Sequence, residues 1–286
     1  MFKAPRTRNL ILNLLLATEG QSQSARETIA SCALFHIREN SVRVALVRLA
    51  ADGLIEPAGR GAYRLGPRAA VLADDVATWR SAEDRVRDWT GGWIVAHVGA
   101  LGRSNRVKLR ARDRALAMLG LRELERGLYV RPDNLAGGVE EVRSRLNRLG
   151  LDADAAVFIA MDFDAQREAR ARRLWDGEAL TQAYRSTRLE LERWQAQVES
   201  LDNETAAREA YLLGNDAIRL LVFDPLLPEP LVDVNERRAL AAAVRSHDQV
   251  GRTLWRRLSL ARDDADHAVA PPHSLQFAPH TAPTRS

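Results

Sequence analysis

Leu10, Ile11, Leu14 and Leu15 recur at the three- and four-residue steps of a helix, which the Glu19-Gly20 region ends. A second helix is predicted from about Ser24 to Leu34, because Ser24 and Glu27 form a capping-box pattern. After the turn Phe35-His36-Ile37, a third helix is predicted from about Glu39 to Asp52, stopping at Gly53. Its residues sort onto two faces. Val42, Ala45, Leu46 and Leu49 should pack on the first two helices, while Asn40, Arg43, Val44, Val47 and Arg48 fall opposite. Leu54-Ile55-Glu56 and Ala62-Tyr63-Arg64-Leu65 read as two strands joined by the tight loop Pro57 to Gly61. Arg60 sits at the loop tip, and Arg64 points away from Tyr63 and Leu65 because strand side chains alternate. This succession is that of a winged helix-turn-helix, assigned to residues 1–67.

Residues 68–90 are predicted as a connecting helix, with Val71, Leu72, Val76 and Trp79 at near-helical spacing. A new module, 91–166, begins with a buried strand, Trp93 to Val98. A basic helix follows from about Arg103 to Leu119, then strands at Arg122 to Glu125 and Gly127 to Arg131, a helix from Val139 to Leu149, and a strand from Ala155 to Met161. Strand, helix, strand, strand, helix, strand (βαββαβ) is the ferredoxin-like order. Residues 167–261 are helical in pattern. Leu174, Leu180, Tyr184, Leu191, Trp194 and Val198 outline one long or broken helix, and Ala206 to Phe223 another. The proline-rich Asp224 to Pro230 breaks the pattern, and a last helix is expected from about Asn235 to Leu260. The tail, 262–286, has too little apolar content to fold and is expected to be disordered. The fold class is therefore α+β: winged helix-turn-helix, ferredoxin-like middle domain, α-helical C-terminal domain.

Charge distribution adds a function to this outline. The first 70 residues hold ten basic side chains against five acidic ones, while the whole chain carries +4, so the remainder is nearly neutral. A basic module on a neutral body suits a protein that grips a polyanion at one end. Asparagine and arginine make paired hydrogen bonds to adenine and guanine edges, and an exposed valine meets a thymine methyl. The candidate DNA-binding residues are therefore Asn40, Ser41, Arg43, Val44, Val47 and Arg48 on the third helix, with Arg60 and Arg64 on the hairpin. Asn40, Arg43, Val44 and Val47 are expected to read bases, and Arg48 and Arg60 to hold phosphates or the minor groove. The competing readings are a domain whose arginines only solvate the surface and a winged helix that binds another protein.

Cys32 is the only cysteine, which excludes an intramolecular disulfide and a thiolate zinc cluster, and it reads as a small buried residue. No apolar run approaches the roughly 20 residues of a membrane span. The basic start with Leu10 to Ala17 imitates a signal peptide but lacks a small-residue cleavage site, so a cytoplasmic protein is expected.

The segment Leu34-Phe35-His36-Ile37-Arg38-Glu39-Asn40-Ser41-Val42-Arg43-Val44-Ala45-Leu46-Val47-Arg48-Leu49, with Arg60-Gly61-Ala62-Tyr63-Arg64-Leu65, resembles the PaaX-like repressors of phenylacetate catabolism. Gly127-Leu128-Tyr129-Val130 is similar to that family's second-domain hairpin, and Asp224-Pro225-Leu226-Leu227-Pro228 to its C-terminal signature. The resemblance spans roughly residues 8 to 260. It implies a three-part architecture whose middle domain is related in fold to a CRISPR spacer-acquisition nuclease. It further implies a homodimer on double-stranded operator DNA, repressing an aromatic-acid degradation operon and released by a small-molecule effector, an aryl-CoA thioester, typically phenylacetyl-CoA. The chain departs from the family pattern at Gly99-Ala100-Leu101-Gly102 and at Val232-Asp233-Val234-Asn235-Glu236-Arg237.

An enzyme is the rival class, because a ferredoxin-like domain can host a metal-dependent nuclease. Such an enzyme needs an acidic residue near the end of its first strand, where Ala96, His97 and Val98 stand. Asp162 and Asp164 close the fourth strand on one side by period-two spacing, but read as solvated carboxylates. No phosphate-binding glycine loop, nucleophile elbow, paired-histidine helix or dinucleotide fingerprint occurs. His36, His97, His247, His267, His273 and His280 are scattered. No catalytic residue, metal or cofactor is expected. Trp79, Trp89, Trp93, Trp175, Trp194 and Trp255 read as core or domain-interface residues, with one or two able to wall an aromatic pocket. Nearby arginines would grip coenzyme A phosphates, with no particular residue singled out.

Overall fold

The structure, a computed structural model, describes residues 5–18, 20–69, 78–99, 101–102 and 105–269, with the backbone alone at 259 and 261–269. The leucine pattern near the N-terminus forms α1 (Thr7–Ala17), and β1 (Gln23–Ser24) leads into α2 (Ala25–Ala33). Ser24 and Glu27 close the capping box: Glu27 N donates to Ser24 Oγ at 3.1 Å and Ser24 N to Glu27 Oε2 at 2.6 Å. α3 (Glu39–Ala51) buries Val42, Leu46 and Leu49 against Leu10, Ile11, Leu14, Cys32 and Phe35, while Ala45 is half-buried. Burial pushes the Cys32 thiol up to about 11, as befits a small core residue. β2 (Ile55–Pro57) and β3 (Ala62–Leu65) form an antiparallel hairpin, and β1 pairs with the other edge of β3.

The connecting helix expected over 68–90 is not continuous. Residues 67–69 are helical, and 70–77, with Val71, Leu72 and Val76, lie outside the described residues. From Thr78 the chain makes two 3-10 turns, Thr78–Ser81 and Glu83–Arg85. Trp79 and Ala82, three apart and both buried, use the side-chain spacing of a 3-10 turn. Val86 then bridges Leu135, and Arg87 N donates to Asn134 O at 2.8 Å, so the backbone is drawn out straight.

In the middle region β4 (Trp93–His97), α4 (Arg106–Met118), β5 (Arg122–Glu125), β6 (Leu128–Pro132), α5 (Gly138–Arg148) and β7 (Ala156–Ala160) follow one another. The four strands are antiparallel in the order β5-β6-β4-β7. Ile94 and Ala96 pack with Leu116, Val142 and Leu146 beneath α4 and α5, whereas Trp93, Val95, Leu124 and Val130 join the core shared with the helices that follow. With both faces covered, β4 reads as an unbroken apolar run rather than an alternation.

Of the two forms expected for this stretch, one long or a broken helix, the structure has the broken one, α6 (Ala165–Arg172) and α7 (Gly177–Gln197), because Trp175 is buried between them and Asp176 Oδ1 caps α7 by accepting Ala179 N at 2.9 Å. α8 (Asn203–Val222) and α9 (Val234–Val269) complete the bundle, α9 packing along both α7 and α8. α9 runs past Leu260 and through 262–269, where disorder was expected. Its last residues, Arg262 to Ala268, contain no proline or glycine, and the first breaker is Pro271; residues 270–286 lie outside the described chain.

The middle sheet and the helical bundle share a tight seam. Trp93 stacks on Trp175 with ring centroids 6.2 Å apart and 7° between planes, and its Nε1 donates to Glu168 Oε2 at 2.8 Å. Trp89 meets Trp93 edge-on at 5.1 Å and carries Arg172 over its face. Gly120, in the left-handed region at φ 71°, lets the backbone turn against the 224–230 break; a Cβ there would stand 2.8 Å from Pro225 Cβ.

Candidate nucleic-acid interface

α3 owes its orientation to its buried edge. His36, in the left-handed region at φ 58°, ends the turn after α2, and Arg38 enters α3 in extended conformation. Val42, Leu46 and Leu49 then fix the helix on the core, so Asn40, Ser41, Arg43, Val44, Val47 and Arg48 all face outward. Val44 is 42% exposed and Val47 67%. Two solvated valines between arginines are the feature a solvated charged face would not require.

The hairpin turns through Gly59 and Gly61, both at positive φ, and closes with Ala58 N donating to Ala62 O at 2.9 Å. It is anchored to α2 by Ala25 N donating to Gly61 O at 2.8 Å. Arg60 projects from its tip, exposed.

The candidate cations are not equivalent. Arg43 is tied along the helix to Glu39, with Nε 2.8 Å from Oε1, and Arg64 to Glu56 directly across the hairpin at 2.7 Å. Both pairs are exposed and break at little cost. Arg48 and Arg60 have no ion pair or hydrogen bond among the described residues, so their charge is directly available. Arg8 and Arg68, counted in the basic total, are spent on the C-terminal end of α3: Arg8 pairs with the Asp52 carboxylate and Arg68 donates to Asp52 O, both at 2.7 Å. Arg38, exposed at the helix entry, is a further cation the face analysis missed, because it precedes the first helical residue.

The rival carboxylate site does not assemble. The strand stops at Ala160, and Asp162 sits at φ 57°, so the expected period-two alignment with Asp164 is lost. Asp164 is the N-cap of α6; Arg167 N donates to it at 2.8 Å, and that bond holds its carboxyl below the usual range. His97 is exposed at the end of β4, and among the described residues no three metal-ligating side chains come together. His247 is buried, with Nε2 2.9 Å from Ala210 O. Of the six tryptophans, Trp79, Trp93, Trp175 and Trp194 are buried and Trp89 and Trp255 half-buried. Among the described residues no helix is long and apolar enough to cross a membrane.

No curated protein matches the chain. A solved structure, that of the uncharacterized protein Rv0674 from Mycobacterium tuberculosis, is similar in fold, with a TM-score of 0.59 at 24% identity over 91% of this chain and 98% of that one. A family model described as PaaX-like protein matches residues 6–69, and one described as PaaX-like protein C-terminal domain matches 175–257, together more than half of the sequence. With both ends of the fold matched, one of them containing α3 and the hairpin, the chain belongs to the PaaX-like family.

Proposed function

We propose that the protein is a cytoplasmic DNA-binding transcriptional regulator of an aromatic-acid, phenylacetate-type catabolic operon, and that it acts as a repressor. Residues 6–69 serve as a winged helix-turn-helix, α3 entering the major groove and Arg60 the flanking backbone or minor groove. The middle sheet serves as a ferredoxin-like linker. The observation that carries this reading is the outer face of α3, where Val44 and Val47 stand exposed among Asn40, Arg43 and Arg48 beside a basic hairpin. Family membership supports the regulatory role. A homodimer would present two such modules to a two-fold symmetric operator.

Release of DNA requires an effector that binds the DNA-free arrangement more tightly, and the magnitude of that difference limits the response. The proposed effector is an aryl-CoA thioester. The test is titration of phenylacetyl-CoA into the preformed complex with the duplex upstream of the protein's own coding region. Release by the thioester but not by phenylacetate or free coenzyme A supports the reading; a complex indifferent to all three removes the effector and leaves the DNA-binding role.

A further inference from the structure

α4 concentrates positive charge in a part of the chain that is otherwise nearly neutral: five of its residues are cations and one, Asp113, is an acid. Two of the cations are spent locally. Arg112 is buried and donates to Asp152 Oδ2 at 3.0 Å, and Lys108 stands 3.6 Å from the same carboxylate. The other three, Arg106, Arg110 and Arg114, are exposed and have no hydrogen bond or ion pair among the described residues, with Asp113 or any other acid. Spaced four apart, they form one row along the helix, each about 6 Å from the next. Val107, 77% exposed, lies beside the first of them.

By itself the row works against the helix. Like charges four residues apart repel, and cations in a first turn oppose the positive end of the helix dipole. α4 has Arg106 and Lys108 in its first turn and no acid there, whereas the five helices that follow it each open with at least one glutamate. A merely solvated face would carry the compensated arrangement of those neighbours. An uncompensated row becomes favourable when a polyanion lies along it, and guanidinium groups match phosphate oxygens. Duplex DNA presents a charge about every 1.7 Å of its axis, so a straight row meets phosphates in any register. A lipid surface would also need a broad apolar face, and Val107 is the one large apolar side chain that α4 exposes.

We propose that Arg106, Arg110 and Arg114 form a second, sequence-independent DNA contact that holds the phosphate backbone of duplex outside the stretch read by α3. The fold keeps the two contacts apart. α4 packs on the sheet face of Ile94 and Ala96, whereas the bundle on which the N-terminal module rests covers the face of Trp93 and Val95. The sheet therefore stands between the row and the bundle, and the row takes flanking DNA rather than the base pairs under α3. That the polyanion is DNA rests on the function proposed above.

The experiment measures binding of the full chain to a scrambled duplex several helical turns long, over a salt series. The variant replaces Arg106, Arg110 and Arg114 together by glutamine, which keeps helix propensity and relieves the repulsion. Its slope of log affinity against log salt should be shallower by about 2 to 3. Lysine at the same three positions should restore the slope, because phosphate contact needs the charge. A control with Arg245, Arg256 and Arg257 of α9, all exposed, changed to glutamine removes the same net charge and should leave the slope unaltered. An unchanged slope in the α4 variant, or an equal change in the control, overturns the proposal. So does loss of binding to anionic phospholipid vesicles with DNA binding intact, which would give the row to a membrane surface. Failure of the α3 reading is distinct: upstream and scrambled duplexes would bind equally, while the α4 variant still altered the slope.

Discussion

The side-chain amide of Asn13 in α1 donates to the Tyr211 hydroxyl in α8 at 3.0 Å, joining the N-terminal module to the C-terminal bundle across 198 positions of sequence. The same amide reaches Asn215 Oδ1 at 2.9 Å, and Phe35 packs edge-on against the Tyr211 ring at 5.1 Å. The module with the candidate DNA-reading helix therefore rests directly on the bundle. Burial pushes the Tyr211 phenol up to about 12, so the hydroxyl stays protonated and available as acceptor and donor. Tyr211→Phe should cost about 1 kcal/mol in urea unfolding, and a double-mutant cycle with Asn13→Ala should return a coupling of about 0.5 kcal/mol or more. Strict additivity would mean that the two domains are not docked this way.

Gly120 tests the second seam. Gly120→Ala must place an L-residue at positive φ and a methyl group against Pro225, costing at least about 1 kcal/mol from the backbone alone. Gly102→Ala, where a Cβ would meet nothing within 4 Å, is the control and should leave the unfolding midpoint unchanged. Equal midpoints for both variants would argue against the close approach of Gly120 and Pro225.

His247 should make the bundle sensitive to acid. Burial lowers its pKa below the ordinary imidazole value of 6.5, with the ring 4.6 Å from Trp194. The unfolded chain then takes up its proton first as pH falls. The stability this site contributes is complete above about pH 7 and declines as pH drops through 6.5 toward the lowered folded-state value. His247→Phe, which cannot titrate, should flatten the loss of stability between pH 7 and pH 5.5. A slope identical to that of the wild type would assign the acid sensitivity to other groups.

Glu39 holds Arg43 in the free protein, and on DNA it would face phosphates with the wrong sign. Glu39→Gln should tighten binding to the operator by about two- to fivefold, or 0.4–1 kcal/mol, and change stability by less than about 0.5 kcal/mol. Weaker binding by this variant would show that the pair positions Arg43 rather than restraining it.

What the sequence made legible was local. The capping box of Ser24 and Glu27, the two faces of α3 and the turn at Gly59 to Gly61 each depend on residues within one or two turns of chain, and all are present. The elements from Trp93 to Ala160 were legible for the same reason, each being bounded by its own breakers. The straightened segment around Val86 was not, because its partner Leu135 lies far along the chain. Nor were the pairing of Asn13 with Tyr211 and the burial of Arg131 in β6 against Leu119 O and Pro225 O, which only the packed fold creates. One signal was available: an arginine between Val130 and Pro132, in a strand reading as apolar, asks for buried partners.

Arg43 and Arg60 divide the proposed interface into reading and holding. Arg43→Ala should narrow the preference for the operator over altered sequences, whereas Arg60→Ala should weaken all duplexes alike and reduce the salt slope by about 1. The same effect on every sequence from both substitutions would contradict that division.

The most direct measurement is fluorescence anisotropy of the full chain with the duplex upstream of its own coding region and with a scrambled duplex of equal composition, over about 50 to 200 mM salt. A DNA-reading α3 is expected to bind the upstream duplex at least about tenfold more tightly at every salt concentration, with both affinities falling as salt rises. Equal affinity for the two duplexes, or binding indifferent to salt, would contradict recognition of DNA by α3 and the hairpin.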